Sequence, residues 1–459
     1  MKIQLANLPI PKNLIVASLG AYLGALSFGY TIAYSSPALP DMKRTGITQD
    51  PQFESWFGSL VTIGAMLGGP IGGWLLENVG RRKTLLCSTL PFFIGWGLIY
   101  LGENAYHILL FGRTLTGFGC AIVMVSASVY ISEIATTELR GMLGSGVQLF
   151  ITVGIFLAYA FGLYCGWKTM ALIGVVFPVA NFFLVLKIPE SPRFYMLGNA
   201  KQAAKQALSW LRGPHANVED ECSEIAESIP SMEDKITWGE FLKPHILQPL
   251  KASVGLMVFQ QLSGINAVMF YTVSIFEGAG LKENSAFATA VVGGVQVLAT
   301  IISCVLMDRA GRRVLLVLAG TGMALTCFTF GYYYYVTQGD PASDKLTWLP
   351  LTSLVVYIIS FSFGWGPIPM LITSEIFPVR ARGVAGAITA FSNWLFAFIV
   401  TKEFITLQAA IGQHGVFWLF GLICLIGIGF VLKYVPETKG KSLEDIELYF
   451  LGRTIRGLP

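Results

Sequence analysis

The chain has 459 residues, 54% hydrophobic and only 13% charged, with a net charge of +4. A soluble domain carries about 25% charged residues, so this composition and a mean hydropathy of +0.63 exclude a water-soluble protein. A charge this small and scattered also excludes a nucleic-acid binder. The seven Cys stand singly, the closest pair (Cys304 and Cys327) 23 positions apart, so the chain has no C-x-x-C metal or redox pair. They read as small buried hydrophobes.

The N-terminal stretch MKIQLANLPIPKN lacks the shape of a cleavable signal, and the first apolar run is expected to stay in the membrane. A span needs about 20 apolar residues. Twelve are expected, at 14–37, 57–76, 84–102, 106–131, 143–166, 169–186, 252–276, 285–307, 314–336, 350–373, 383–401 and 414–432. With the N-terminus inside, 24 of the 31 Lys and Arg fall on the cytoplasmic side and six outside; this bias sets both termini in the cytoplasm. Arg113, in GRTLTG, lies within a span, where a charge is expensive and signals function or a structural clamp. The expected division is a cytoplasmic N-terminus (1–13), a six-helix bundle (14–187), a linker (188–250), a second bundle (251–434) and a cytoplasmic tail (435–459). Within the linker, AKQAAKQALSWLRG places Ala203, Ala204, Ala207, Leu208 and Leu211 on one side of an amphipathic helix.

Three phrases recur across this linker at offsets of 231, 242 and 247: ENVGRR (77–82) as DRAGRR (308–313), SEIATTELRG (132–141) as SEIFPVRARG (374–383), and PESPR (189–193) as PETKG (436–440). Three matches in order at nearly one offset mark a tandem duplication of a six-span unit, a design used by many transporters. The phrases fall at cytoplasmic span ends and combine acids with arginines. Arg81, Arg82, Glu133, Arg140, Arg193, Asp308, Arg312, Glu375 and Arg382 are therefore candidates for charge pairs that form in one state and break in another. The spacing from Glu133 to Arg140 repeats from Glu375 to Arg382.

The seventh span carries VFQQLSGINAVMFY (258–271). On a regular helix Gln260, Gly264, Ala267 and Tyr271 share a face, while Gln261 sits about 100° away and Asn266 lies off that face. A break near Gly264 would bring the three amides together, and broken helices at mid-membrane mark transporter sites. Amides donate and accept, which suits neutral hydroxyls without the desolvation of a charge. Gln148, Gln296, Asn393 and Trp394 offer further groups on other spans, and GWGPIPM (364–370) promises irregular backbone just before Met370. The tyrosines of GYYYYV (331–336) read as an interfacial belt.

These motifs together resemble the sugar porter family of the major facilitator superfamily. The carrying residues are the paired GRR loops, Glu133–Arg140, Glu375–Arg382, PESPRF, QQLSGIN, GPIP and PETKG. SSPALP (35–40) is similar to class III facilitative glucose transporters (types 6 and 8) and to insect facilitated trehalose transporters. The resemblance implies an all-α membrane protein of twelve helices in two bundles, reached alternately from each side. It implies sugar contacts at positions matching Gln148, Gln260, Gln261, Asn266, Asn393 and Trp394. Gln296 stands where well-studied glucose carriers have Asn, and Met370 where most members have Trp. Proton-coupled members carry an Asp in span one; SFGYTIAY has Thr31 there, which favours a passive uniporter for a hexose such as glucose or fructose. The alternatives are a trehalose facilitator, a proton symporter and a non-transporting sugar receptor; the last usually has a long signalling tail. GKS at 440–442 lacks the Gly that a phosphate loop needs at 435, which is Val. No enzyme, metal site or cofactor is expected. The expected partners are a small sugar and the lipid bilayer, with the chain acting as a monomer in a plasma membrane.

Overall fold

The computed structural model describes residues 11–136, 138–213, 218–227, 244–306, 310–337, 346, 348–377, 381–439, 441 and 450. These residues form helices joined by turns and short loops. In the first half, α1 (Lys12–Ala33) is followed, after the single residue Tyr34, by α2 (Ser35–Arg44). It is followed by α3 (Pro51–Asn78), α4 (Arg81–Leu101), α5 (Tyr106–Ile134), α6 (Arg140–Phe161) and α7 (Trp167–Val185). The linker holds α8 (Pro192–Leu197), α9 (Lys201–Arg212) and α10 (Val218–Glu227). In the second half, α11 (Pro244–Leu262) and α12 (Ile265–Gly278) form one broken span, followed by α13 (Ser285–Leu306) and α14 (Arg312–Thr337). A second broken span, α15 (Leu349–Phe363) and α16 (Ile368–Ile376), precedes α17 (Arg382–Tyr434).

Eleven helical stretches among the described residues are long and apolar enough to cross a bilayer. The last, α17, has 53 residues, about 80 Å of helix at 1.5 Å per residue against a hydrocarbon core of about 30 Å. It turns back at Gly412, whose φ of 73° and ψ of 164° lie outside the helical region and suit a residue without Cβ. Two spans therefore share α17, and the expected twelve are recovered.

Helix contacts in lipid depend on close backbone approach and on satisfied polar groups. A Cβ on Gly29 would sit 1.9 Å from the Ile151 carbonyl oxygen, and one on Gly154 would sit 2.2 Å from that of Leu26, so α1 and α6 meet backbone to backbone. Buried tyrosines of span one tie it to its neighbours: Tyr22 donates to the Leu143 carbonyl, Tyr30 to Met170 and Tyr34 to Trp167, all at 2.7–2.8 Å. The tyrosine run splits its roles. Tyr332 and Tyr335 are exposed, as a belt requires, but Tyr333 and Tyr334 are buried and donate to Ala279 and Ile275 at the end of α12.

The amphipathic linker helix is present as α9, with Ala204, Ala207, Leu208 and Leu211 buried and Ala203 only half-buried. It is strapped to the first half: Asn13 donates to the Trp210 carbonyl at 2.7 Å, and Arg212 to that of Ile134 at 2.8 Å. Cys120, Cys222, Cys327 and Cys424 are buried as expected, while Cys87 is exposed.

Candidate functional site

Gly264 separates α11 from α12 with a left-handed φ of 92°, so the seventh span is broken where the amides require it. The break lets them link. Asn266 donates to Gln261 Oε1 at 2.6 Å, and Gln261 donates to Gln260 Oε1 at 3.3 Å. Asn393 of α17 donates to the same Gln260 oxygen at 2.8 Å. The Gln260 nitrogen donates to the carbonyls of Trp365 (2.5 Å) and Gly366 (3.2 Å). Those carbonyls belong to the interruption between α15 and α16, so a hub residue of one broken span satisfies the freed backbone of the other. Gln260 and Gln261 are buried, while Asn266 and Asn393 are half-buried. Each primary amide can make four hydrogen bonds. Among the described residues the Asn266 side chain makes one.

The other expected site residues stand on several helices, and no hydrogen bond among the described residues ties them to this chain. Gln296 on α13 is 5% exposed, and its Oε1 is buried without a partner among the described residues. Trp394 follows Asn393 and meets Phe28 of α1 edge-on, ring centres 6.1 Å apart, which joins the two halves at mid-depth. Gln148 is half-buried on α6. Met370, 54% exposed, stands on α16 three residues past Pro367. The polar part of the site is uncharged.

At one end of the molecule the repeated motifs build two matching clusters. In the first half the Arg81 guanidinium donates twice to Glu133, both at 2.8 Å, and Ser191 donates to the same carboxylate at 2.5 Å. Glu190 caps α4 by accepting from the backbone N–H groups of Arg81 (2.9 Å) and Arg82 (2.9 and 3.1 Å), where the helix dipole favours a carboxylate. In the second half Glu437 caps α14 through the N–H groups of Arg312 (2.9 Å) and Arg313 (3.0 Å), and Arg312 donates to Glu375 at 3.3 Å. A Cβ on Gly80 or on Gly311 would lie 2.5 Å from the capping carboxylate, which explains the Gly of both GRR phrases. Sequence reasoning passed over Glu190 and Glu437, although they are the matched acids of PESPR and PETKG.

Glu133 and Glu375 meet Arg81 and Arg312 of their own halves. Arg140, seven residues past Glu133, opens the next helix across the turn, whereas the GRR loop lies beside the acid. Arg140 is exposed and Arg193 half-buried, neither with an ion pair among the described residues. Arg82 donates to the Val185 and Leu186 carbonyls at 3.0 and 2.7 Å. Asp308 lies outside the described residues, and of Arg382 the backbone alone is described.

Arg113 is fully buried. It donates to the carbonyls of Thr31 (2.9 Å) and Phe57 (3.3 Å) and lies over the rings of Tyr34 and Phe57. It acts as a clamp on carbonyls, with cation–π support.

The halves are bonded to each other at the end opposite the motif clusters. Ser55 donates to the Lys402 carbonyl at 2.5 Å, and the Lys402 ammonium stands over the Trp56 ring at 4.8 Å. Ser35, Ser36 and Tyr159 reach the backbone of α12. No hydrogen bond or ion pair among the described residues joins the first half to the second at the motif end.

Two six-span halves facing each other across a mid-membrane amide cluster define a multi-pass membrane protein of the major facilitator fold. A solved structure with this architecture, the inward open conformation of the xylose transporter XylE from E. coli, matches with a TM-score of 0.79 at 25% identity, over 95% of this chain and 99% of that one. The family described as "Sugar (and other) transporter" matches residues 17–450, and the chain belongs to that family, one of transporters and not of enzymes. It is similar to the facilitated trehalose transporter Tret1 of Drosophila mojavensis, 42% identical over 96% of this chain and 52% of that protein. It is also similar to the facilitated glucose transporter member 8 of solute carrier family 2 from Bos taurus, 41% identical over 97% of this chain and 96% of that protein. The chain thus spans about half the length of the trehalose transporter and nearly all of the bovine protein.

Proposed function

We propose that this protein carries a sugar across a membrane by alternating access, as a passive uniporter of a hexose such as glucose or fructose. The observation that carries the reading is the linked amide chain Asn266–Gln261–Gln260–Asn393 at the meeting of two broken spans. It offers neutral donors and acceptors to hydroxyls at mid-depth, where a helix would otherwise have no reason to break. Gln148, Gln296, Trp394 and Met370 complete the proposed binding set, with 14–187 and 251–434 as the two moving bundles and 188–250 as their linker.

The Lys and Arg bias supports a cytoplasmic motif end and cytoplasmic termini. The conformation is then open inward, with the halves bonded on the outer side, and the likeness to inward-open XylE supports this. In the opposite state the motif ends meet. The clusters of Arg81, Arg82, Glu133, Arg312 and Glu375 give each half a rigid face there, and Arg140, which has no ion pair among the described residues, becomes available to acids of the other half. Passive transport is supported by Arg113, which faces the Thr31 carbonyl and two aromatic rings, and by Thr31, which cannot exchange a proton near neutral pH. We place the protein, acting as a monomer, in the plasma membrane.

Trehalose is a second reading. It is favoured by the likeness to the insect trehalose transporter and by Met370, which is narrower than Trp and leaves room for a disaccharide. The test is uptake by proteoliposomes of labelled glucose, fructose, trehalose and a polyol, with and without an inward pH gradient. Saturable uptake that stops at the external concentration supports the reading. Accumulation collapsed by a protonophore would replace it with a symporter, and binding without flux with a receptor.

A further inference from the structure

The outer seal contains a feature the amide site does not explain. Inside α12, Tyr271 leaves the helical region, with φ −124° and ψ 19°. A disturbed turn exposes backbone groups that an intact helix would pair internally. Three groups flanking this turn are bonded by side chains of the other half. Tyr159 of α6 donates to the Met269 carbonyl at 2.7 Å, Ser35 donates to the Phe270 carbonyl at 3.3 Å, and the Val273 N–H donates to Ser36 Oγ at 3.1 Å. Ser35, Ser36 and Tyr159 are all buried. The two serines open α2, directly after Tyr34, so the start of one helix presents hydroxyls to the distorted turn of the other.

Resting on the alternating-access reading, we infer that Ser35, Ser36 and Tyr159 form a hydroxyl lock that holds the outer side shut by bonding to the distorted backbone of span seven. Hydroxyls suit this task because each bond they make is one that water can replace. When the outer side opens, water enters and takes over the same carbonyls and the same N–H, so no backbone group is left bare in lipid. A charged latch would instead have to be stripped of water at every closure. The lock is thus strong enough to bias the closed state and weak enough to release once per cycle. A net hydrogen bond of ordinary size shifts such an equilibrium about two- to tenfold.

The test measures the outer opening directly. Spin labels are placed at Gln49→Cys and Glu283→Cys, exposed positions on the two halves at this end, with the accessible native cysteines replaced, and the protein is reconstituted in liposomes. The doubly substituted Ser35→Ala/Ser36→Ala protein is expected to raise the ratio of long- to short-distance populations about fourfold or more. Tyr159→Phe should shift the ratio the same way, and Ser36→Thr, which keeps the hydroxyl, should leave it near wild type. An unchanged ratio in the double-alanine and Tyr159→Phe proteins overturns the lock, as does an equal shift in Ser36→Thr. Sugar flux is read separately: if the wild type moves no sugar while the ratios shift as expected, the transport reading fails and the lock stands.

Discussion

Replacing Gln260 with Ala should damage stability and binding together, unlike any other change in the amide cluster. Its side chain donates to the Trp365 and Gly366 carbonyls and accepts from Asn393 and Gln261. Four bonds at about 0.5–1.5 kcal/mol net each give roughly 2–6 kcal/mol. Water from the open cavity can reach some of the orphaned groups, which puts the expected loss at the lower end, about 2 kcal/mol. Gln261 makes two of its bonds within the cluster and none to the broken tenth span. Gln261→Ala should therefore raise the half-saturating sugar concentration about two- to tenfold and leave thermal unfolding nearly unchanged. The assay pairs the unfolding midpoint of purified protein in detergent with concentration-dependent uptake in liposomes. Gln260→Ala should lower the midpoint by several degrees and also weaken uptake. If it unfolds and transports like wild type, the hub role is refuted.

The two motif clusters should differ in strength. Glu133 holds Arg81 at two points, whereas Glu375 holds Arg312 at 3.3 Å and has its second oxygen buried without a partner among the described residues. Glu133→Gln should cost about 2–3 kcal/mol of stability, somewhat under the range for a fully buried pair, and Glu375→Gln less, as read by thermal unfolding; the reverse order would count against the geometry. Gly264→Ala forces a Cβ into left-handed backbone at 2.4 Å from the Phe420 ring. It should abolish uptake while the protein still inserts, and normal uptake would show that the break is not needed. Met370→Trp should move the ratio of glucose to trehalose uptake toward glucose at matched expression, and an unchanged ratio would remove position 370 from the cavity.

Much of this was legible in the sequence because the membrane restricts the alternatives. Apolar runs of span length mark the helices; the structure adds the division of the first span after Ala33, the interruption of the tenth between Phe363 and Ile368, and the turn at Gly412 inside α17. The break at Gly264 followed from three amides that one regular helix cannot gather. What stayed hidden were bonds made through backbone. Gln260 meets carbonyls of Trp365 and Gly366, and Ser35 and Ser36 meet the main chain of α12, so no side-chain pattern announces either. The partners within the charged set stayed hidden for a related reason. Spacing names Glu133, Arg140 and Arg81 without saying which of them meet; the folded GRR loop puts Arg81 against that acid, and the cap by Glu190 needs α4 and the start of α8 to be adjacent. The third repeated phrase carried that information, since Glu190 and Glu437 are matched positions of it.

Entrance counterflow tests the central claim most directly. Proteoliposomes are loaded with a high concentration of unlabelled glucose or trehalose and diluted into a trace of the same labelled sugar, with no ion gradient. A carrier that exposes one amide-lined site alternately to each side draws label inward to a transient excess, and Gln261→Ala should reduce that overshoot at low sugar. Label that merely equilibrates, or does not enter with any sugar of the panel, would contradict the account.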